Sequence, residues 1–199
     1  GYRMSRGWAI DQRQYFYAEF SQPFTVGERE LITKVPTPML GECEYADNLV
    51  FNTADNKTIT IKIGLSATGI DAAKANLEAD LVRAKVKGWD DIFGKVNDYA
   101  HNAWNNALSS ITIDALDEEH EKVFYTSLYH AMFAPQLFND ADGTYRGADG
   151  GIYKSTSDTY TFFSLWDAYR AAFPLMTLIE PDSCRAFAET FMDICEQQG

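Results

Sequence analysis

The hydrophobic period of this chain changes once, near residue 68, and that change constrains its fold more than any other feature. Over residues 58–65, Ile59, Ile61, Ile63 and Leu65 alternate with Thr58, Thr60 and Lys62. Alternation of that kind is the period of a strand with one apolar face. The Ala54-Asp55-Asn56-Lys57 run before it has turn composition and predicts a hairpin with a strand over 42–51. Residues 14–20 are rich in Tyr and Phe and predict a further strand, broken by Ser21-Gln22-Pro23.

Beyond Gly69 the spacing is helical. Asp71 is placed to cap a helix running to Arg83. Trp89, Ile92, Phe93, Val96, Ala100 and Trp104 then recur along one face of a long amphipathic helix. Asp117 can cap a helix over 118–133, which Pro135 ends. Residues 139–161 are rich in Asp, Gly, Tyr, Ser and Thr without a period, and predict a long loop carrying a short hairpin over 143–154. Two more helices are expected, over 165–172 before Pro174 and over 183–196. Strands followed by helices give an α+β chain.

Charge and cysteine usage exclude several functions. The formal net charge is −12, which repels phosphate backbones and argues against a nucleic-acid partner. A neutral glycan is compatible with it. No stretch reaches the ~18 apolar residues of a membrane span. Cys43, Cys184 and Cys195 have no CxxC spacing and argue against a zinc site; buried free thiols are the expectation. Asp140-Ala141-Asp142-Gly143-Thr144 contains part of a calcium loop but lacks the rest of its signature, so a turn is expected. His101 and His120 lie on helical patterns away from any carboxylate cluster.

The candidate functional residues concentrate in 139–170. Trp166-Asp167 is the sharpest pair. An indole packs on the C–H face of a pyranose, and a neighbouring carboxylate accepts from two vicinal hydroxyls. A core Trp, with Asp167 capping its helix or pairing with Arg170, fits the same spacing, and the residues alone leave both open.

A family resemblance bears on that choice. Phe124-Tyr125-Thr126-Ser127-Leu128-Tyr129-His130 is followed by Pro135, by Asp142-Gly143-Thr144-Tyr145-Arg146-Gly147, by Ser164-Leu165-Trp166-Asp167-Ala168-Tyr169-Arg170, and by Pro174-Leu175. Upstream stand Ile63-Gly64-Leu65-Ser66 and Ala73-Lys74-Ala75-Asn76-Leu77-Glu78. In order and spacing these resemble glycoside hydrolase family 92, best over 58–182. The resemblance implies a calcium-dependent exo-α-mannosidase that inverts the anomeric centre, built from an N-terminal β-sandwich and an (α/α)6 barrel. Residues 1–68 would be the last part of the sandwich, 69–110 linker helices and 111–199 the start of the barrel. Inversion needs an acid and a base carboxyl roughly 6.5–9.5 Å apart. By the resemblance these, and the calcium ligands, lie beyond Gly199, so no catalytic residue or metal ligand is assigned within the chain.

Trp166 and Asp167 are carried over as sugar contacts. The chain is then expected to be an internal fragment, inactive alone, whose partners are a mannose-containing glycan and the rest of the same enzyme or copies of itself. A periplasmic or secreted bacterial location is what the family implies. Two rivals stand beside this reading: another helical-barrel glycosidase of glucosidase type, and a non-catalytic carbohydrate-binding protein.

Overall fold

A computed structural model of the chain describes residues 1–5, 11–31, 45–114, 116–161 and 163–199. It contains helices and antiparallel sheets, in two compact units, Gly1–Ile92 and Phe93–Gly199.

In the first unit, β1 (Tyr2–Ser5), β2 (Gln12–Phe20) and β5 (Ile61–Ser66) form an antiparallel sheet with β2 in the centre. A second pair, β3 (Phe24–Leu31) and β4 (Tyr45–Phe51), is antiparallel with a register shift between Val26 and Arg29. The hairpin expected across 54–57 does not form. β4 pairs with β3, and β5 pairs with β2, placing Phe16 opposite Leu65 and Ala18 opposite Ile63. Strand partners are chosen by the sheet as a whole, and a local turn signal does not fix them. Part of the expected strand over 42–51 lies outside the described residues.

The alternation in β5 is real, but its buried side is the polar one. Lys62, Gly64 and Ser66 are buried, while Ile61, Ile63 and Leu65 are about half exposed. Helix α1 (Ile70–Arg83) lies on the polar side and buries Ala73 and Leu77, one turn apart. Gly64 makes this possible: a Cβ there would run into the carbonyl oxygen of Ala73 and come within 2.8 Å of the Leu77 Cβ. The Lys62 ammonium lies over the Trp89 ring, 4.0 Å from its centroid, and 3.7 Å from Glu19. On the opposite side of the sheet, Phe20 meets Phe24 and Phe51, with ring centroids 5.1 and 5.5 Å away. Asp71 is not the cap of α1. Gly69 takes that place with extended backbone and no side-chain bond, and the Ser66 hydroxyl accepts from the Thr68 N–H at 2.9 Å to shape the entry.

The second unit opens with the body of α2 (Ile92–Leu108). Trp89 precedes this helix and does not continue its face. α3 (Glu118–Met132) is capped as expected, with Asp117 accepting from the His120 N–H at 2.9 Å. The His120 ring also meets Asp117 at 2.7 Å, so this histidine does have a carboxylate partner. Trp104 and Tyr129 pack edge to face, 4.5 Å between centroids. The remaining helices are α4 (Leu165–Ala168), α5 (Ala172–Ile179) and α6 (Pro181–Gln198). The helix expected over 165–172 stops at Ala168, and a separate helix that was not expected runs from Ala172 through Pro174 to Ile179. Pro174 lies in the first turn of α5, where its missing N–H has no intrahelical acceptor anyway. Cys184 is half-buried and Cys195 is exposed, so the expectation of buried thiols fails at Cys195; Cys43 lies outside the described residues. Among the described residues no helix is long and apolar enough to cross a membrane.

Candidate functional site

The loop over 139–161 is ordered by its own bonds and by α6. One ladder closes its base, β6 (Gln136–Leu137) with β9 (Tyr160–Thr161), and a second lies within it, β7 (Thr144–Arg146) with β8 (Ile152–Lys154). The expected turn forms at Asp140–Gly143, where the Gly143 N–H donates to the Asp140 carbonyl at 2.9 Å. Gly143 has φ +85°, and a Cβ there would stand 2.5 Å from the Ser155 carbonyl, so only glycine fits.

Two acidic residues of this loop, Asp142 and Asp149, are bonded within it. Asp142 accepts from the Thr144 N–H and hydroxyl, both at 2.9 Å, with Lys154 at 3.4 Å; those bonds hold its carboxyl below the usual range. Asp149 accepts from the Gly151 N–H and then from the Tyr153 hydroxyl, both at 2.8 Å, and is lowered likewise. Arg146 donates to the Gly150 carbonyl at 2.8 Å. Among the described residues no group of three or more His, Cys, Asp or Glu side chains is arranged to hold a metal ion.

One face of α6 carries the loop. Phe187, Thr190, Asp193 and Gln197 recur at intervals of three or four and share that face. The Tyr160 N–H donates to the Thr190 hydroxyl at 3.2 Å. The Tyr145 hydroxyl donates to Asp193 at 2.9 Å and accepts from Gln197 at 3.0 Å, while the Ala148 N–H donates to the Gln197 side-chain oxygen at 2.8 Å. Burial first, and Asp193 second, push the Tyr145 hydroxyl above its ordinary pKa.

Against this frame sits the run 164–170. Phe163, just before it, packs on Phe187 and Phe191, with centroids 5.7 and 4.3 Å away. Phe173, just after it, meets the same Phe187 at 6.1 Å. Both ends of the run are thus anchored on one ring that is 6% exposed. The run itself faces outward. Trp166 is 81% exposed, and Asp167, Tyr169 and Arg170 are exposed. Trp166 is therefore not a core residue in this unit. Arg170 donates to the Tyr169 hydroxyl at 3.0 Å. The bond to Asp167 comes instead from the Ser164 hydroxyl, which donates to one carboxylate oxygen.

The structure therefore keeps Trp166 and Asp167 together on an exposed turn. Asp142 and Asp149 are engaged in the hairpin. The α6 contacts were not anticipated: Thr190, Asp193 and Gln197 carry no local signal for partners 30 to 52 residues away, and Gln197 lies beyond the helix expected over 183–196. The Ser-x-x-Asp spacing of 164–167 was the one available signal for Ser164.

The glycosyl hydrolase family 92 catalytic domain matches residues 72–199. The chain belongs to this family. Among solved structures, a family 92 α-mannosidase of Bacteroides thetaiotaomicron, BT3965, is 28% identical, with a TM-score of 0.82 over 98% of this chain and 26% of its own. The same protein in complex with mannoimidazole gives the same likeness. A family 92 glycosyl hydrolase, ccman5, at 23% identity and TM-score 0.77, shares the fold over 98% of this chain and 26% of its own. The inverting family 92 mannosidase BT2199 of Bacteroides thetaiotaomicron VPI-5482, at 21% and 0.73, shares it over 93% and 25%. The chain thus spans about a quarter of the length of these relatives. No curated protein sequence matches it.

Proposed function

We propose that the protein carrying this chain removes terminal α-linked mannose from glycans by calcium-assisted inverting hydrolysis, and that this chain supplies part of the sugar pocket. The observation that supports this most is the family 92 catalytic match over 72–199, joined to the α-mannosidase likeness at 28% identity. In this reading the indole of Trp166 packs on the C–H face of the terminal mannose. The Asp167 carboxylate accepts from two vicinal hydroxyls. The described residues leave most of the Trp166 side chain uncovered.

The acid and the base belong to other parts of the protein, as do the calcium ligands. What residues 163–170 do is bind and orient the sugar; binding in a fixed pose brings the anomeric carbon to groups held elsewhere. The exposed Ile61, Ile63 and Leu65 face, which Phe20 shares by register, is the inner face of a β-sandwich. Helices α3 to α6 are the opening of a helical barrel. The protein acts in the periplasm or outside a bacterial cell.

The test is a substrate panel on the intact protein. Aryl α-mannosides are hydrolysed and the matching α-glucosides are not. Hydrolysis of glucosides with mannosides ignored would assign a glucosidase of helical-barrel type. Mannose binding with no turnover of either would assign a carbohydrate-binding protein.

A further inference from the structure

We propose that Ser164 is a positioning residue for the carboxylate of Asp167, acting on the sugar only through that group. The proposal rests on the reading of Asp167 as a sugar contact. Three observations carry it. The Ser164 hydroxyl donates to Asp167 Oδ2. The backbone between them is fixed independently of that bond, because the Asp167 and Ala168 N–H groups donate to the Ser164 carbonyl at 3.1 and 3.0 Å. Finally, Phe163 and Phe173 anchor both ends of the run on Phe187. The turn is therefore held at both ends while the carboxylate rotor on it is exposed, and among the described residues the hydrogen bond that restrains that rotor comes from Ser164.

Each carboxylate oxygen has two acceptor positions. With Ser164 occupying one on Oδ2, the group presents the two positions of Oδ1 and one of Oδ2. This restrains the plane of the carboxylate on the turn that also carries Trp166. Two vicinal hydroxyls of a pyranose stacked on that indole need a carboxylate in one plane. Without Ser164 the carboxylate must be ordered when the sugar binds. That cost appears in ground-state binding, because Ser164 takes no part in breaking the bond.

The usual role of a serine at this place is different. As the residue before a helix, Ser164 would accept from a backbone N–H, but its side chain makes no such bond. Its loss consequently removes no cap and leaves the fold intact.

The experiment is steady-state kinetics of aryl α-mannoside hydrolysis by the intact protein, with thermal melting beside it. Ser164→Ala raises KM about five-fold, the size of one ordinary hydrogen bond, with kcat and Tm unchanged. Ser164→Thr, which keeps the hydroxyl, restores KM. Asp167→Ala raises KM further, and adding Ser164→Ala to it changes nothing more. If Asp167→Ala raises KM while Ser164→Ala does not, the positioning role is wrong and the sugar contact stands. If Ser164→Ala still raises KM on the Asp167→Ala background, Ser164 acts independently of Asp167 and the proposal falls. If Asp167→Ala leaves KM unchanged, the sugar-contact reading fails and the proposal fails with it.

Discussion

The hydroxyl of Tyr145 donates to the carboxylate of Asp193 at 2.9 Å across 48 residues of sequence. That bond, with Gln197 at 3.0 Å, ties the β7–β8 hairpin to α6. The same helix anchors the Trp166–Asp167 turn through Phe187.

Tyr145→Phe keeps the buried ring and removes the hydroxyl, leaving Asp193 and Gln197 without that partner. The expected loss is about 1–2 kcal/mol, read as a lowered denaturation midpoint. Tyr145→Ala also empties a site that is 5% exposed, and costs about 3–5 kcal/mol by analogy with other buried aromatic truncations. The wild type adds a pH signature. The Tyr145 hydroxyl is raised in the folded state, chiefly by burial, so the folded chain holds that proton more tightly than the unfolded one. The stability this contributes is full below the unfolded value of about 10 and is lost as pH rises through the folded value. A melting series into alkaline pH should fall more steeply for wild type than for Tyr145→Phe.

Gly64→Val places a branched side chain where the Ala73 carbonyl and Leu77 already stand. The expected cost is about 1–3 kcal/mol or more, because backbone and not a flexible side chain must yield. Amide exchange locates the damage: protection drops in α1 and β5, while α5 and α6 keep theirs.

The apolar face of β2 and β5 predicts the solution behaviour of the chain on its own. Ile63 is 57% exposed, with Ile61, Leu65 and Phe16 around it, and an uncovered apolar sheet face promotes association. Sedimentation of the purified 199-residue chain should show concentration-dependent self-association. Ile63→Thr with Leu65→Thr should shift it toward monomer without loss of helix signal.

Much of the local structure was legible in the sequence, because alternation and helical spacing are local. Asp117 was readable as a cap, and 143–154 as a hairpin, whose strands are Thr144–Arg146 and Ile152–Lys154. Pairing was not readable: the turn at 54–57 pointed β5 toward β4, while the sheet joins it to β2. β3 was missed because Gly27, Glu28, Arg29 and Glu30 dilute its β composition. The face of β5 that packs on α1 was hidden because close approach at Gly64, and not hydrophobicity, decides it. Trp166 was locatable but its exposure was not, since spacing cannot separate a core indole from a free one. The bonds of Thr190, Asp193 and Gln197 were out of reach because their partners lie 30 to 52 residues away.

The central claim is that this chain grips the sugar and does not break the bond. The direct measurement is turnover of an aryl α-mannoside by the purified 199-residue chain, with and without calcium, beside Asp167→Ala. The account predicts no turnover above buffer for either protein. Measurable turnover by the chain, lost on Asp167→Ala, would contradict it and place a bond-breaking carboxylate within these residues.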